Sequence, residues 1–167
     1  MMSALKVGIT GHCSGLGKEL YFRFNSVGFD LKNGFDIAHP SPIVEAISDC
    51  NVFINNAYSG TYQASLFKVV DEAWADPNKL IVNISSYAVT LKKNTEYSKN
   101  KILLEEASRS SLCRVATIRP TIIDTPMVNS ITHREKMNVR DVADVVEFII
   151  KSPVHISLTE ITNGRYI

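Results

Sequence analysis

The sequence predicts a three-layer α/β fold on a doubly wound parallel sheet, and three observations predict it. Short apolar runs alternate with stretches of helical periodicity from end to end, the signature of stacked βαβ units. A glycine-rich turn, Gly11, Gly15 and Gly17, separates the first apolar run from the first helical stretch. At 167 residues the chain is long enough for one domain with a full core and too short for two. Residues 1–167 therefore read as a single domain.

The elements follow in order. Leu5 to Thr10 is the first strand, and Leu16, Leu20 and Phe24 recur at i, i+4 and i+8 as a helix stripe that ends before Gly28. Phe29 to Leu31 and Phe35 to Ile37 are two short strand candidates, with no room for a helix between them. Pro40 to Asp49 reads as a helix, with Ser41 as N-cap and Pro42 in the first turn. Val52-Phe53-Ile54 is a buried strand that stops at Asn55-Asn56. A helix over 63–75 turns Leu66, Val69, Val70 and Ala73 to one face, and Pro77-Asn78 ends it. Leu80 to Ile84 is the next buried strand. A helix from about Glu96 to Ser110 leads to a strand from Arg114 to Ile118, broken at Pro120. Val139 to Ile150 is helical, and Val154 to Leu158 is the last strand.

Composition narrows the function by exclusion. The apolar fraction of 45%, the charged fraction of 21% and a net charge of +1 belong to an ordinary soluble globular protein. They leave no electrostatic footprint for nucleic acid or an anionic membrane. Cys13, Cys50 and Cys113 are widely spaced and form no CxxC or His/Cys ligand pattern. Reduced thiols, no metal and a cytoplasmic location are expected. The opening MMSALKVGIT reads neither as a signal peptide nor as a membrane span.

Chemistry enters with Tyr97 and Lys101. A phenol and an ammonium at i and i+4 share one helix face and can act on the same atom. Free tyrosine titrates about three units above neutral, a gap worth about 4 kcal/mol. An ammonium about 4 to 5 Å away supplies roughly 3 to 4 kcal/mol at an effective dielectric of about 20. Such a spacing arises by accident in a chain with six tyrosines, so its context carries the argument. That context is Ser85-Ser86 at the end of an apolar run upstream, and the loop Thr10-Gly11-His12-Cys13-Ser14-Gly15-Leu16-Gly17 between a strand and a helix. Glycines there let backbone approach a pyrophosphate, and the helix N-terminus offers free N–H donors.

The TGxxxGxG spacing of that loop resembles the short-chain dehydrogenase/reductase family, a Rossmann-type fold. Other segments match the family in its order. VFINNAYSG resembles its Asn-Asn-Ala-Gly strand end, LIVNISSYA with EYSKNK its active-site strand and helix, and RPTIIDTPM its Pro-Gly segment with a following threonine. NVRDVADVVEFII is similar to the helix that comes next.

The resemblance implies a carbonyl/alcohol oxidoreductase that uses NADP, with NAD as the alternative. Tyr97 would be the acid/base, Lys101 would lower its pKa and hold the nicotinamide ribose, and Ser86 rather than Ser85 would bond the substrate oxygen. Gly11, Ser14, Gly15, Leu16 and Gly17 would surround the pyrophosphate. Asn55, Asn56 and Ala57 would lie along the adenosine ribose, Asp36 with Ile37 at adenine, and Pro120, Ile123 and Thr125 at the carboxamide. The lean to NADP rests on Lys32, with Asn33, at the end of the second strand and on Asp30 inside it; the alternative for Lys32 is a solvated turn lysine.

Several positions depart from the family pattern. Tyr62-Gln63 stands where its active-site asparagine is expected, Tyr58 replaces a glycine, and Thr121 replaces the glycine after Pro120. The chain reads as truncated between the second and third strands, after Asn56 and after Met127. A shallow, open pocket follows, suited to a small carbonyl or alcohol substrate or completed by a neighbouring subunit. The charges of 128–137, including His133, Arg134 and Lys136, read as a solvated turn rather than an anion clamp. A homo-oligomer is expected, a dimer or tetramer, most simply through the helices near 63–75 and 97–110. Two other readings stay open: a dinucleotide-binding regulatory protein with little or no turnover, and, less well supported, a nucleotide-sugar epimerase or reductase.

Overall fold

The computed structural model describes residues 5–91, 94–132 and 134–163. Six strands form one all-parallel sheet: β1 Val7–Thr10, β2 Val27–Phe29, β3 Val52–Asn55, β4 Leu80–Ile84, β5 Arg114–Pro120 and β6 Leu158–Ile161. Their order across the sheet is β2-β1-β3-β4-β5-β6. The chain moves outward from β1 to β2, then restarts on the other side of β1 with β3. That reversal between β1 and β3 is the switch point, where open α/β sheets place ligands beyond the carboxyl ends of the strands. Relative to a 3-2-1-4-5-6 arrangement the sheet has one strand fewer on the β2 side and one more on the β6 side.

Five helices cover the two faces: α1 Gly15–Phe24, α2 Ser41–Ala46, α3 Tyr62–Trp74, α4 Glu96–Ser108 and α5 Val139–Lys151. Alternation along the strands divides the core. Val52, Ile54, Leu80, Val82, Ala116 and Ile118 pack under α1 and α5 with Leu16, Leu20, Val142 and Val146. Phe53 and Ile81 point the other way, to Ile43, Leu66, Phe67, Val70 and Leu104 of α2, α3 and α4. Both faces of the sheet are dry, which is why its strands read as unbroken apolar runs.

Four sequence expectations are corrected. The second strand is Val27–Phe29 and Phe35–Ile37 is not a strand. Asp30 accepts the Lys32 N–H and its own N–H bonds Asn33, which turns the chain into a 3-10 turn over Leu31–Asn33 that closes at Gly34. Pro40, not Ser41, is the N-cap of α2, and Pro42 does lie in its first turn. On α3 Val69 and Ala73 face outward; Gln63, Ala64, Phe67, Asp71 and Trp74 join Leu66 and Val70 inside. The last strand begins at Leu158, which pairs with Thr117, while Val154 stays exposed in the turn after α5.

Asp71 is the buried charge that holds the second layer to the sheet. Its carboxylate accepts the N–H groups of Leu112 and Cys113 and the Ser111 hydroxyl, fastening the turn between α4 and β5 to α3. Burial alone pushes this carboxyl up, but those hydrogen bonds outweigh it and hold it below the usual range. A carboxyl with a depressed folded pKa contributes stability that is complete above about pH 4 and is lost as pH falls through the folded value. Asp71→Ala should therefore cost about 2–3 kcal/mol in urea denaturation at pH 7. That difference should shrink below pH 4, and a variant as stable as wild type at pH 7 would remove this role.

Candidate active site

The glycine loop sits at the switch point, and side chains fix it there. Thr10 Oγ1 accepts the N–H groups of Asn56 and Ala57 at 3.1 and 3.0 Å, and Asn56 Nδ2 donates to Thr10 O at 3.0 Å. These bonds tie the ends of β1 and β3 together. Gly11 has φ +72°, and a Cβ on Gly17 would stand 2.0 Å from Gly11 O, so the helix start is pressed onto the loop backbone. Ser14, the N-cap of α1, makes no side-chain cap bond, which leaves the first N–H groups of the helix as free donors. Leu16 buries its side chain in the core and offers the loop only backbone. Thr125 lies across the loop, its methyl 3.0 Å from where a Gly15 Cβ would be.

The remaining residues expected at a dinucleotide divide into two groups. Pro120 ends β5, and Ile123 pairs with Met137 in an isolated bridge, so this segment runs on from the sheet towards the loop. Asp36 closes an Asx turn on the Ala38 N–H at 2.9 Å, and Ile37 is buried in the α2 layer. Lys32 is exposed on the 3-10 turn. Asn55 departs from expectation: it is fully buried, and Nδ2 donates to Gln63 O and to Asn83 Oδ1 while Oδ1 has no protein partner. Its side chain belongs to the core of the site rather than to its surface.

Tyr97, Lys101 and Ser86 converge beyond the carboxyl end of β4. Ser86 caps a 3-10 turn, its Oγ accepting the Ala88 N–H, and its hydroxyl is near enough to Tyr97 to favour the ionised phenol. Ser85 is sent the other way, its hydroxyl donating to Glu105 Oε1 at 2.5 Å. Glu105 in turn holds Arg119 through both carboxylate oxygens. Thr95 begins α4 with a capping box to Ser98, which places Tyr97 in the first turn and Lys101 one turn on.

Lys101 is 2% exposed, and its ammonium is solvated by protein. Nζ donates to Gln63 Oε1 at 2.7 Å and to Ile84 O at 2.8 Å. Gln63 Nε2 donates to Asn55 O and Ile84 O, which locks the amide orientation so that oxygen faces the ammonium. The rings of Tyr58 and Tyr97 cover the remaining side, 5.1 and 5.5 Å from Nζ to the ring centres. Those rings meet edge to face, and Asn100 Nδ2 donates to Tyr58 Oη at 3.2 Å.

The electrostatics differ from the expectation that Lys101 lowers the Tyr97 pKa. Burial pushes Tyr97 up, the Ser86 hydroxyl opposes that, and Tyr58 adds to the rise. Burial likewise lowers Lys101 to about 7, with Glu105 pulling upward. An ammonium that is half neutral at pH 7 cannot supply the full attraction expected from the spacing. Dehydration favours the neutral form of both partners.

Gln63, Tyr58 and Asn100 had no assigned role in the sequence reading. Gln63 carried a signal all the same, a polar residue inside the apolar stripe 63, 66, 67, 70 of α3. Of the charges at 128–137, Lys136 pairs with Asp124 at 3.4 Å and Arg134 is exposed, whereas His133 lies outside the described residues. Two cavities, of about 380 and 240 Å³, lie away from this site, at the end of α5 and between α4 and β6.

No family model matches this chain and no curated protein is similar to it. Solved structures are. A short chain dehydrogenase from Burkholderia cenocepacia in complex with NADP has a TM-score of 0.75 at 14% identity, over 98% of each chain. A 3-ketoacyl-(acyl-carrier-protein) reductase from Brucella melitensis complexed with NADH gives 0.68 at 19%, over 100% of each. A 3-alpha-hydroxysteroid dehydrogenase from Pseudomonas sp. B-0831 complexed with NADH gives 0.69 at 15%, over 96% of each. The chain has the Rossmann-type fold of short-chain dehydrogenases/reductases. Among the described residues no helix is long and apolar enough to cross a membrane.

The buried ammonium sets a pH dependence of stability. With a folded pKa near 7 against 10.5 when exposed, the folded chain binds fewer protons than the unfolded chain across that window. Stability therefore rises with pH from 7 towards 10.5, and below 7 the full cost of dehydrating the charge is present. Urea denaturation at pH 7 and pH 9 should show wild type gaining on Lys101→Met as pH rises. A constant difference would mean that Lys101 keeps an ordinary pKa.

Proposed function

We propose that the protein is a nicotinamide-dinucleotide-dependent oxidoreductase that interconverts a small carbonyl compound and its alcohol. The observation that carries this is the convergence of Tyr97, Ser86 and Lys101 beyond β4, with only β3 between it and the strand that leads into a glycine loop whose helix N-cap makes no side-chain bond. The cradle fits a dinucleotide, since the loop admits backbone where a Cβ on Gly17 would collide. Gly11, Ser14, Gly15, Leu16 and Gly17 would hold the pyrophosphate through main chain, and Asn56 and Ala57 would line the ribose side over a base formed by Asn55. Asp36 and Ile37 would flank adenine, and Pro120, Ile123 and Thr125 would flank the carboxamide. The dinucleotide supplies the hydride.

The chain's own groups manage charge on the substrate oxygen. As a carbonyl accepts hydride its oxygen becomes negative, and Tyr97 Oη gives up its proton there while Ser86 Oγ donates a hydrogen bond. In the reverse direction Tyr97 receives the alcohol proton. Lys101 packs beside the phenol and, were the Tyr58 ring displaced, would face the ribose.

Two residues bear on the adenosine end. NADP remains the first assignment through the exposed Lys32, and structural neighbours hold NADP or NADH. Because β2 stops at Phe29, Asp30 stands at the strand end, the place from which a carboxylate grips a ribose 2′-hydroxyl and repels a 2′-phosphate. That observation favours NAD as the second reading. A second reading of the whole protein, a dinucleotide-binding protein with little turnover, is favoured by the burial of Lys101 under Tyr58.

Cofactor oxidation against a panel of aldehydes, ketones and quinones separates these readings. Turnover should fall by about 10²- to 10⁴-fold in Tyr97→Phe while dinucleotide affinity holds. Tight dinucleotide binding with no turnover on any substrate assigns the regulatory reading instead. In titrations, Lys32→Ala should weaken NADPH and leave NADH unchanged; a wild type that prefers NADH and ignores Lys32→Ala assigns NAD.

A further inference from the structure

The described residues bring one set of metal-ligating side chains together. His12 and Cys13 lie in the glycine loop and Asp30 follows β2, and one ligand atom from each falls within 4.8 Å of the others. The loop holds no motif that predicts this, because the third donor is far away in sequence and arrives only through the pairing of β1 with β2. Nothing in the proposed hydride chemistry uses Cys13.

The three donors are held in place before any ion arrives. The His12 ring packs on Tyr21 with centres 4.8 Å apart and lies against Gly28, where a Cβ would come within 2.4 Å of the imidazole. Gly28 is thus the opening that the ring fills. His12 Nε2 and Cys13 Sγ are 3.7 Å apart. Tetrahedral zinc with bonds of about 2.05 Å to nitrogen and 2.3 Å to sulfur requires an N–S edge of roughly 3.6 Å. Asp30 is fixed by its capping box: Oδ1 accepts the Lys32 N–H at 3.0 Å, and the side chain also accepts the Asn33 N–H, which orients the carboxylate. All three residues are partly exposed, so an ion can reach them and water can complete the shell.

We propose that His12, Cys13 and Asp30 form a binding site for a borderline-soft divalent cation, zinc in the first instance, at the junction of the glycine loop and β2. Imidazole, thiolate and carboxylate are the donors zinc takes, and three protein ligands with an open fourth position make an exchangeable site rather than a closed structural one. As the metal–sulfur bond forms, the Cys13 thiol proton passes to solvent and the metal's own waters are displaced. The site stands whether or not the fold turns over a substrate, since its ligands and its assay are independent of Tyr97.

The test uses the full chain with metal salts alone. Wild type should take one equivalent of zinc in competition with a chromogenic chelator. Cobalt in its place should show the near-ultraviolet absorption of a thiolate–cobalt bond. Cys13→Ser, which keeps the size of the side chain, should abolish that absorption and weaken zinc by more than about tenfold, beyond the loss of an outer partner. Zinc should raise the melting temperature of wild type and not that of Cys13→Ser. Cobalt bound without a thiolate band, or zinc held equally by wild type, Cys13→Ser and Asp30→Asn, overturns the site. The cobalt spectrum of wild type decides even if a variant fails to fold.

Discussion

The site depends on one constraint: an ammonium has been placed in the dry interior and must be solvated by the protein. Lys101 cannot reach water, so its donors need fixed acceptors, and Gln63 Oε1 and Ile84 O are those acceptors. Meeting that need ties four elements to one point. Gln63 starts α3, Ile84 ends β4, Asn55 ends β3, and Lys101 lies on α4. The bond to Ile84 O sets α4 against the end of β4, and the bond to Gln63 sets α4 against α3. The polar cluster therefore sets the mutual position of the two chain segments that carry Tyr97 and Ser86.

A second constraint acts at the neighbouring strand ends, and it is steric. Thr10 bridges the backbone of Asn56 and Ala57, while Gly17 brings α1 within contact of Gly11 O. A side chain at Gly17 would push the helix start away and open the loop. The same economy of space is seen where Gly28 receives the His12 ring. Glycines in this half of the molecule are places where one segment enters the volume another would have filled. The free N–H donors of α1 and the set His12, Cys13 and Asp30 both follow from that crowding.

The layers of the fold were legible because burial on both faces writes strands as apolar runs, and Val52 to Ile54 and Leu80 to Ile84 were read closely. The edges were not. β2 and β6 are short, pair on one side only and carry exposed residues such as Val27 and Leu158, so no apolar run marks them. Local hydrogen bonding decided β2, where the Asp30 capping box ended the strand before Leu31. At the site, Tyr97, Ser86 and the glycine loop were legible as motifs with spacing. Gln63 and Tyr58 were not assigned, since their roles come from contacts of 38 residues' separation with Lys101 and of ring against ring. The buried side chain of Asn55 was hidden for the same reason: an asparagine at a strand end reads as a turn, and only packing against α3 reveals it as a buried strut.

The opposite shifts of Tyr97 and Lys101 have one main origin, burial, to which the Tyr58 ring packed over both contributes cover. Burial raises the phenol and lowers the amine, so both shifts favour the neutral forms. Acid/base work at neutral pH needs the reverse, a phenol that yields its proton readily beside a cation that stays charged. Tyr58 is the side chain whose ring shields both groups, and it is held by a single hydrogen bond from Asn100. A hydroxyl-bearing ligand that displaced this ring would rehydrate the ammonium and lower the phenol together, because both penalties arise from the same missing polar contact. Where a glycine would leave this side of the pair uncovered, the Tyr58 ring lies over both Lys101 and Tyr97.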